Sequence, residues 1–474
     1  MANKTQTESQ RVRAKLSHPV IDCDGHIIEI TPVLVDFIRQ VGGAKMAEAY
    51  MKQPAIGGFY HQRDVEKSPA QHKETWLPMG HWWGQPVDAL DRATLGLPNL
   101  LAQRLDDFGI DFCILYPSEG LFAASPLDPD VRRAVVRGYN TYVAEMYNRH
   151  RDRMTPVAVI PMHTPEEAVE ELDYAVNKLG LRAAVFSMSV RRPIPATPST
   201  SRMELFGVDS DFNYDKVWAK AAELKVAVTF HGGIGGMGTS SISNYAYNHV
   251  GLLAQSHQRL AKALLVGGVY KRFPGLRFAY LEAGAAWAIQ CYADLIGHWE
   301  KRNGKAIKGL NPDLIDRDQF MRLVAEHGDA RIKGLSTDIR AFIDRKLPHP
   351  QQLDDFAAAG IKTAKDIHDQ FVPRSFFGCE ADDPINAFAF NTKVNPFGAT
   401  MQIIYGTDIG HWDVPVMADV LHEAWEMVEH DAINLDQFKQ FVFTNGVSLH
   451  AGSNPDFFKG TRVEAEVGKL LKKR

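Results

Sequence analysis

The chain lacks several features that would place it in a particular class of protein. Among its 474 residues, no apolar run reaches the roughly 18 residues needed to span a bilayer. The net charge is −4 at pH 7, so there is no basic excess of the kind that binds nucleic acid. No GxGxxG segment directly opens a helix after a predicted strand, which disfavours a doubly wound dinucleotide-binding fold. We therefore expect neither a membrane nor a nucleic-acid partner.

Cysteine is also scarce. No CxxC pair is present, so reduced, buried thiols and a cytoplasmic location are expected. Residues 1–15 are polar and lack the apolar stretch of a secretory signal peptide, and we expect residues 1–17 to form a flexible N-terminal arm. Residues 461–474 are expected to be a polar C-terminal tail. The four cysteines are Cys23, Cys113, Cys291 and Cys379.

What the chain does have is a regular alternation of strand and helix patterns. Its apolar share is 45%, which is enough for a large hydrophobic core. Strand–helix alternation indicates a parallel sheet, and eight such units indicate a closed barrel. We therefore predict an α/β fold, a (β/α)8 TIM barrel, over residues 18–460. The predicted strands begin near residues 20, 112, 156, 182, 226, 276, 375 and 402.

Two long stretches interrupt this alternation. Residues 53–97 and 303–374 are too long for plain loops in a compact domain, so we interpret both as functional insertions. We expect them to fold over the mouth of the barrel, where apolar side chains would line a substrate pocket. Packing against the barrel, or against a second subunit of the homo-oligomer that we expect, is the alternative. The candidate pocket residues are Trp82, Trp83, Phe342 and Phe356.

The first predicted strand ends in a group of polar residues. Side chains alternate along a strand, so Asp22, Asp24 and His26 share one face, and Glu29 follows just beyond. Gly25 allows the backbone to leave the strand or a ligand to approach closely. Carboxylates combined with an imidazole at a strand end are typical of a site for a divalent cation. An N-capping aspartate beside a surface histidine is the plainer interpretation.

Other predicted strands also end in residues that bind metals or carry protons. Active sites of (β/α)8 barrels lie at the carboxyl ends of the strands. Burying so many unpaired charges would be costly, and a cation is the natural compensation. The number of these residues disfavours a barrel that only binds ligands. They are His231 after the fifth strand, Glu282 after the sixth, Glu380 after the seventh, and Asp408, His411 and Asp413 after the eighth.

Several segments together resemble the amidohydrolase-related family, which includes decarboxylases and hydrolases of the aminocarboxymuconate-semialdehyde decarboxylase type. The resemblance covers roughly residues 18–460 outside the two insertions. It implies a metal-dependent barrel that acts on a small-molecule substrate and holds its metal with Asp24, His26, His231 and Asp408. The segments are Asp24-x-His26, the strand-end His231, residues 280–287 (YLEAGAAW) and Gly406-Thr407-Asp408-x-x-His411.

The chain departs from that family pattern in its carboxylates. Glu282 stands where the decarboxylases show a strand-six histidine, Asp24 where they usually carry histidine or glutamate, and Glu29 is an addition. Oxygen-rich sites favour iron or manganese over tetrahedral zinc, and this set exceeds the need of one metal. The chain thus looks like a branch of the fold that binds two irons and activates dioxygen on apolar, often CoA-linked, acids.

Two functions follow as expectations. The first is O2-dependent hydroxylation of an apolar carboxylic acid, or its CoA thioester, at a non-haem diiron centre. The alternative is a mononuclear hydrolase or decarboxylase of a small organic acid that uses one zinc or manganese ion. In that case Glu29 is a helix-start carboxylate and Glu282 orients a ligand histidine. The expected metal ligands are Asp24, His26, Glu29, His231, Glu282 and Asp408, and the expected catalytic residues are Asp408, His411 and Glu282.

Overall fold

Eight parallel strands form one sheet that follows chain order and is wrapped by helices, so the predicted (β/α)8 barrel is confirmed. The computed structural model describes residues 6–52, 69–76, 78–80, 84–233 and 239–472. A two-stranded antiparallel hairpin, which the sequence patterns did not predict, follows the fourth barrel strand. The barrel strands are β1 (Ile21–Ile27), β2 (Phe112–Pro117), β3 (Met154–Ile160), β4 (Ala183–Phe186), β7 (Val228–Phe230), β8 (Phe278–Tyr280), β9 (Ser375–Cys379) and β10 (Gln402–Tyr405), and the hairpin strands are β5 (Val190–Ile194) and β6 (Thr197–Glu204).

Helices follow most of the barrel strands and cover the outside of the sheet. Within the described part of the chain, no helix combines the length and apolar character needed to cross a membrane. The helices are α1 (Glu8–Lys15), α2 (Thr31–Gly42), α3 (Ala44–Met51), α4 (Pro69–Thr75), α5 (Ala89–Gly96), α6 (Pro98–Arg104), α7 (Pro129–Tyr147), α8 (Pro165–Asn177), α9 (Asp215–Glu223), α10 (Tyr245–His249), α11 (Leu252–Val266), α12 (Val269–Arg272), α13 (Ala286–Arg302), α14 (Arg317–His327), α15 (Ala330–Gly334), α16 (Ser336–Ile343), α17 (Ala364–Phe371), α18 (Val420–Glu429), α19 (Leu435–Lys439), α20 (Asn445–Ala451) and α21 (Glu464–Leu471).

The barrel strands are buried on both faces. Every residue of β1, β2 and β3 is buried, which explains why these strands read as continuous apolar runs rather than alternating ones. The polar residues of β1 are the exception to that composition. They are buried as fully as their apolar neighbours, so each needs a hydrogen-bond partner or a compensating charge.

The carboxylate of Asp22 connects the first strand to the last. Thr407, just after β10, donates its amide to Asp22 Oδ1 over 3.1 Å and its hydroxyl to Asp22 Oδ2 over 2.6 Å. The amide of Asp408 also donates to the carbonyl of Asp24 over 3.0 Å. These bonds join the two ends of the sheet and thereby close the barrel. Asp22 thus serves closure, whereas the sequence placed it on one face with Asp24 and His26.

A break in the register of β1 separates these roles. The pairing of β1 with β2 shifts between Asp22 and Gly25, which is the signature of a β-bulge. A Cβ atom at Gly25 would lie 2.6 Å from both Asp22 Oδ2 and Cys113 Sγ, so only glycine fits there. The bulge turns Asp22 toward β10 and leaves Asp24 and His26 for the site at the mouth.

The described part of the first insertion lies at the carboxyl ends of the strands. The amide of Met79 donates to the carbonyl of Ser241, in the loop after β7, over 2.9 Å. Asn248 donates its side-chain amide to the carbonyl of Met79, also over 2.9 Å. These contacts support the expectation that this insertion reaches the mouth. The expected pocket residues Trp82 and Trp83 lie outside the described residues.

The second insertion lies elsewhere. The backbone of Gly268, just before α12, packs against the carbonyl of Ala358, and Arg374 donates to the carbonyl of Tyr270 over 2.6 Å. Both contacts are at the amino-terminal end of β8, opposite the mouth. Phe356 is buried at this end and Phe342 is exposed to solvent. The prediction that this insertion covers the mouth is therefore wrong for these residues.

The two predicted terminal tails contain docked helices. Helix α1 buries Ser9 and Val12, and Arg13 forms an ion pair of 2.7 Å with Asp111. The prediction of a flexible arm is therefore wrong for residues 6–17. At the other end, α21 buries Val467, so residues 464–471 also pack on the barrel.

Replacing Asp22 with alanine should strongly destabilise the fold. The amide and hydroxyl of Thr407 would be left buried without an acceptor, which should cost about 2–4 kcal/mol of the free energy of unfolding. Urea unfolding followed by circular dichroism measures this loss. Thr407→Val removes only the hydroxyl bond and should cost about 1 kcal/mol. Equal, small losses in the two variants would contradict the role assigned to Asp22.

Candidate metal centre

The carboxyl ends of the strands bring five of the predicted site residues together. Asp24 and His26 lie on β1, His231 directly follows β7, and Glu282 and Asp408 follow β8 and β10. Their ligand atoms, with those of His411, fall into two groups, in each of which all atoms lie within 4.8 Å of one another. One group is Asp24, His26 and His231, and the other is His26, Glu282, Asp408 and His411.

The distances between these atoms fit a shared cation. His26 Nε2 lies 3.0 Å from His231 Nε2, 3.3 Å from Asp408 Oδ1 and 3.7 Å from Asp24 Oδ1. His231 Nε2 lies 3.4 Å from Asp24 Oδ1. A metal bonded to nitrogen or oxygen at about 2.1 Å holds neighbouring ligand atoms roughly 3.0–3.4 Å apart. Side chains from β1 and from the ends of β7 and β10 thus lie around His26 Nε2, with Asp24 and His231 in one ligand group and Asp408 in the other.

The hydrogen bonds around the cluster leave its inner atoms available. His26 Nδ1 is 3.2 Å from the carbonyl of Pro117, so the ring donates there and its Nε2 keeps a lone pair for a metal. Within the described part of the chain, Asp24 Oδ1 is buried and has no hydrogen-bond partner. A buried carboxylate oxygen without a donor is costly, and a bound cation removes that cost.

The charges of the cluster favour a cation as well. Burial, together with His411 and His231, lowers the pKa of His26 well below its ordinary value, which keeps this ring neutral. Burial opposes charge on His231 too, but the carboxylates of Asp24 and Glu282 outweigh it and raise the pKa of His231 to about 10. The carboxylates therefore attract positive charge to His231 Nε2, the atom that faces His26. A metal ion would supply that charge.

Two of the acidic residues occupy strained backbone positions. Glu282 has φ of 52° and Asp408 has φ of 51°, both in the left-handed region that residues with a Cβ atom seldom adopt. Such conformations cost of order 1–3 kcal/mol and concentrate at functional sites. The two carboxylates are turned into the barrel mouth at this cost, Glu282 to within 3.1 Å of His231 Nε2.

His411 extends the cluster toward β2. Its Nδ1 lies 2.6 Å from Asp408 Oδ1 and its Nε2 lies 3.2 Å from Ser118 Oγ. Burial and the charges of Glu282 and Asp413 raise the pKa of Asp408 well above its ordinary value. The pair of Asp408 and His411 can therefore hold a proton at the edge of the cluster. Ser118, which directly follows β2, was missed by the sequence analysis although it obeys the same strand-end rule.

Glu29 does not join the cluster. Its carboxylate accepts the backbone amides of Glu119, over 2.9 Å, and Gly120, over 3.0 Å. Burial raises the pKa of Glu29 to about 7. Glu29 thus fixes the turn that begins after Ser118. It belongs to neither of the two ligand groups. The geometry argues against the expected role of Glu29 as a metal ligand and gives it a role in positioning Ser118.

Each of His26, His231 and Asp408 should be needed to retain metal. We expect alanine at any of the three positions to weaken metal binding by at least about 10-fold. Even the loss of a residue that only orients a metal ligand typically weakens metal binding by about 10–100-fold. The fold should survive, since barrel stability is built elsewhere. Elemental analysis of metal per chain, with thermal unfolding alongside, measures both effects. Full occupancy in all three variants would refute the site.

The variant Glu29→Ala should show whether Glu29 is a metal ligand or a structural residue. We expect it to keep the metal and to lose about 2–4 kcal/mol of the free energy of unfolding, because two buried amides lose their acceptor. Metal content and urea unfolding measure the two quantities. Glu119→Gln is the matched control, since Glu119 is also buried and, among the described residues, its carboxylate accepts only long hydrogen bonds, from Thr31. Metal loss with unchanged stability in Glu29→Ala would restore the ligand assignment.

Comparison with known proteins gives both a family and a set of similar folds. A family model described as Amidohydrolase matches residues 21–332. An amidohydrolase from Mycobacterium avium subsp. paratuberculosis K-10 is 16% identical with a TM-score of 0.54, covering 92% of this chain and 98% of that chain. A dihydroxybenzoic acid decarboxylase from Polaromonas sp. JS666, with bound manganese and 2-nitroresorcinol, is 14% identical with a TM-score of 0.53, covering 93% and 99%.

A third similar structure is 5-carboxyvanillate decarboxylase from Sphingomonas paucimobilis. It is 12% identical with a TM-score of 0.51, covering 92% of this chain and 99% of that chain. At such identities these structures support the barrel fold alone. The family model carries more, because it spans well over half of the chain and includes β1, β7 and β8 with their strand-end residues. This protein therefore belongs to the amidohydrolase family, as its sequence resemblance implied, and is a metal-dependent barrel enzyme.

Proposed function

We propose that this protein is a decarboxylase of a small aromatic carboxylic acid that uses one divalent metal ion. The observation that carries the proposal is that Asp24, His231 and Asp408 all lie within 3.7 Å of His26 Nε2, with Glu29 engaged elsewhere. That set supplies enough ligands for one ion without Glu29, on which the diiron expectation depended. Zinc or manganese suits a set of two imidazoles and two carboxylates.

Similar folds support this choice of reaction. Two of the similar structures are, by name, decarboxylases of dihydroxybenzoic acid and of 5-carboxyvanillate, and the first contains manganese. Both substrates are aromatic acids that carry oxygen substituents. An apolar pocket with a few polar anchors suits such a ring. The proposal therefore names an aromatic acid as the substrate class and manganese as a candidate metal.

The reaction requires a proton at the place that the carboxylate leaves. The bond between the ring carbon and the carboxylate carbon breaks, carbon dioxide departs, the electron pair stays on the ring carbon, and a proton replaces the lost group. A divalent ion, when bound, supplies a Lewis acid that holds substrate oxygens. Every other task falls to residues of the chain.

Asp408 and His411 are the residues best placed to deliver that proton. They form a buried pair with 2.6 Å between His411 Nδ1 and Asp408 Oδ1, and the surrounding carboxylates favour a proton on the pair. Ser118, held by the turn that Glu29 fixes, orients the other nitrogen of His411. His26, Asp24 and Asp408 are almost fully buried, so bulk water has little access to these side chains.

A second candidate is the dinuclear reaction, hydroxylation of an apolar acid or its CoA thioester at two irons. The observation in its favour is that the ligand atoms form two neighbouring groups which share His26. Glu282 belongs to the second group, and the carboxylate of Glu380 lies near it. Burial and the charge of Glu282 raise the pKa of Glu380 to about 8. The decarboxylase ranks first because Glu29 is occupied by backbone amides.

The four free cysteines are all buried, which supports a cytoplasmic location as part of this proposal. A reducing compartment also suits either candidate metal centre.

The number of metal ions per chain, measured in the wild-type protein and in the Glu282→Gln variant, distinguishes the two reactions. We expect about one metal ion per chain and release of carbon dioxide from a dihydroxybenzoate or from 5-carboxyvanillate. Glu282→Gln should keep the metal and slow turnover by about 10–100-fold, as expected for a residue that orients a ligand histidine. Inductively coupled plasma analysis and carbon dioxide detection measure these outcomes.

The matched control is Glu380→Gln, which removes a carboxylate at the neighbouring strand end. It should leave the metal content unchanged. Two irons per chain, loss of iron in Glu282→Gln and substrate-dependent oxygen uptake would overturn the decarboxylase in favour of the oxygenase.

A further inference from the structure

Three rings lie together at the mouth of the barrel, on two different loops. Tyr245 and His249 belong to α10, in the loop after β7, and Trp412 directly follows His411 in the loop after β10. The ring centroids of Tyr245 and His249 lie 5.7 and 5.6 Å from that of Trp412, with angles of 80° and 78° between the ring planes. We call these three residues the aromatic wall. None of the roles assigned above to the metal centre uses them.

The aromatic wall stands beside the carboxylates of the metal centre. Burial raises the pKa of the Tyr245 hydroxyl, and the charges of nearby carboxylates, Glu282 and Asp408 among them, raise it further. A charge acts in this way only over short distances in a partly buried site. A molecule bound to the metal centre would therefore lie within reach of the rings of the wall.

Hydrogen bonds fix the position of the wall. A helix as short as α10 is not stable by itself, so other contacts must hold it. Asn248 accepts the amide of Ser241 over 2.6 Å and donates to the carbonyl of Met79, in the first insertion, over 2.9 Å. The indole of Trp412 donates to the hydroxyl of Tyr245, which ties the loop after β10 to α10. The rings are thus arranged before any ligand arrives.

The wall also keeps a large aromatic surface open. Trp412 is 46% exposed although two rings pack perpendicular to it, whereas His411, one residue earlier, is only 7% exposed. Bracing between the two loops would explain the contacts among the rings. It would not require half of the indole to remain uncovered at the edge of a metal centre. A rigid, half-open indole in this place is suited to receive a flat apolar ring.

We propose that Trp412 is the surface on which the aromatic ring of the substrate stacks, and that Tyr245 holds the indole in position for it. The substrate class comes from the proposed function, on which this inference rests, and the inference adds the residues that select an aromatic acid. With its carboxylate directed toward Asp408 and His411, the substrate would place its ring in the mouth of the barrel, beside the wall.

The physical basis of selection is the flat face of an aromatic ring. Offset stacking of two aromatic rings contributes about 2–10-fold in affinity beyond the burial of apolar area. A saturated ring of nearly the same size buries a similar area but has no such face. Benzoate and cyclohexanecarboxylate form a matched pair of probes, since both carry one carboxylate on a six-membered ring.

Isothermal titration calorimetry of the metal-loaded full chain with these two acids tests the proposal. We expect the wild-type protein to bind benzoate more tightly than cyclohexanecarboxylate by about 2–10-fold. Trp412→Ala should weaken benzoate binding about 10-fold and remove the preference between the two acids, and Trp412→Phe, which keeps a flat ring, should retain the preference. The control is Phe342→Ala, an exposed aromatic residue at the opposite end of the barrel, which should change neither affinity.

Tyr245→Phe and steady-state kinetics test the positioning role. The variant keeps the ring of residue 245 but removes the acceptor for the indole, so we expect benzoate binding to weaken about 3-fold. With a substrate that releases carbon dioxide, Trp412→Ala should raise KM about 10-fold with little change in kcat, because stacking is made equally in the ground state and the transition state. Metal content should stay unchanged in all variants, since no residue of the wall belongs to the ligand groups.

Three results would overturn the proposal. The first is equal binding of the two acids by the wild-type protein, and the second is unchanged benzoate affinity in Trp412→Ala. The third is a fall in kcat or in metal content with unchanged KM, which would mean that Trp412 only supports His411. Failure of the proposed function is a separate outcome. If the wild-type protein releases no carbon dioxide while Trp412→Ala still loses the preference for benzoate, the ring site stands and the decarboxylase does not.

Discussion

The bonds between Asp22 and Thr407 are the constraint on which the rest of the structure depends. A row of parallel strands forms a barrel only if its first and last members meet, and here a buried carboxylate makes that connection. Closure fixes the distance between the ends of β1 and β10, and so the distance between His26 and Asp408. An error of 1 Å in this connection would move two candidate ligands apart. The geometry of the candidate metal centre therefore depends on Asp22, which is not one of its ligands but accepts the backbone amide of Asp24.

The cluster at the mouth is a concentration of buried carboxylates. Asp24, Glu282 and Asp408 lie within one small volume, beside two imidazoles that face each other. In a medium of low polarity this arrangement is unfavourable unless positive charge is added. A proton on His231 Nε2 supplies part of that charge, and a divalent metal ion that takes the place of this proton would supply more. The same electrostatic demand favours a bound cation at the site and a proton on the pair of Asp408 and His411.

The two insertions show how topology assigns roles to irregular segments. The first insertion lies between β1 and β2, and its described part contacts the loop after β7 at the mouth of the barrel. The second runs from the end of α13 to the start of β9, so both of its ends lie on the amino-terminal side of the barrel. An insertion is most simply placed on the side where its ends emerge. This explains why the first insertion reaches the mouth of the barrel and the second lies at the opposite end.

The sequence by itself determined the barrel and most of the residues of the candidate site. Strand and helix periodicities are local, so eight strands were predicted near their observed positions, and the strand-end rule identified Asp24, His26, His231, Glu282 and Asp408. Other features depended on contacts between residues far apart in the chain. The bulge at Gly25 separated Asp22 from His26, although simple alternation put them on one face. Glu29 lies outside the candidate metal centre because its carboxylate accepts hydrogen bonds from amides some ninety residues away in the chain. Periodicity reports which face a side chain occupies, whereas only the packed structure decides which partner lies across from it.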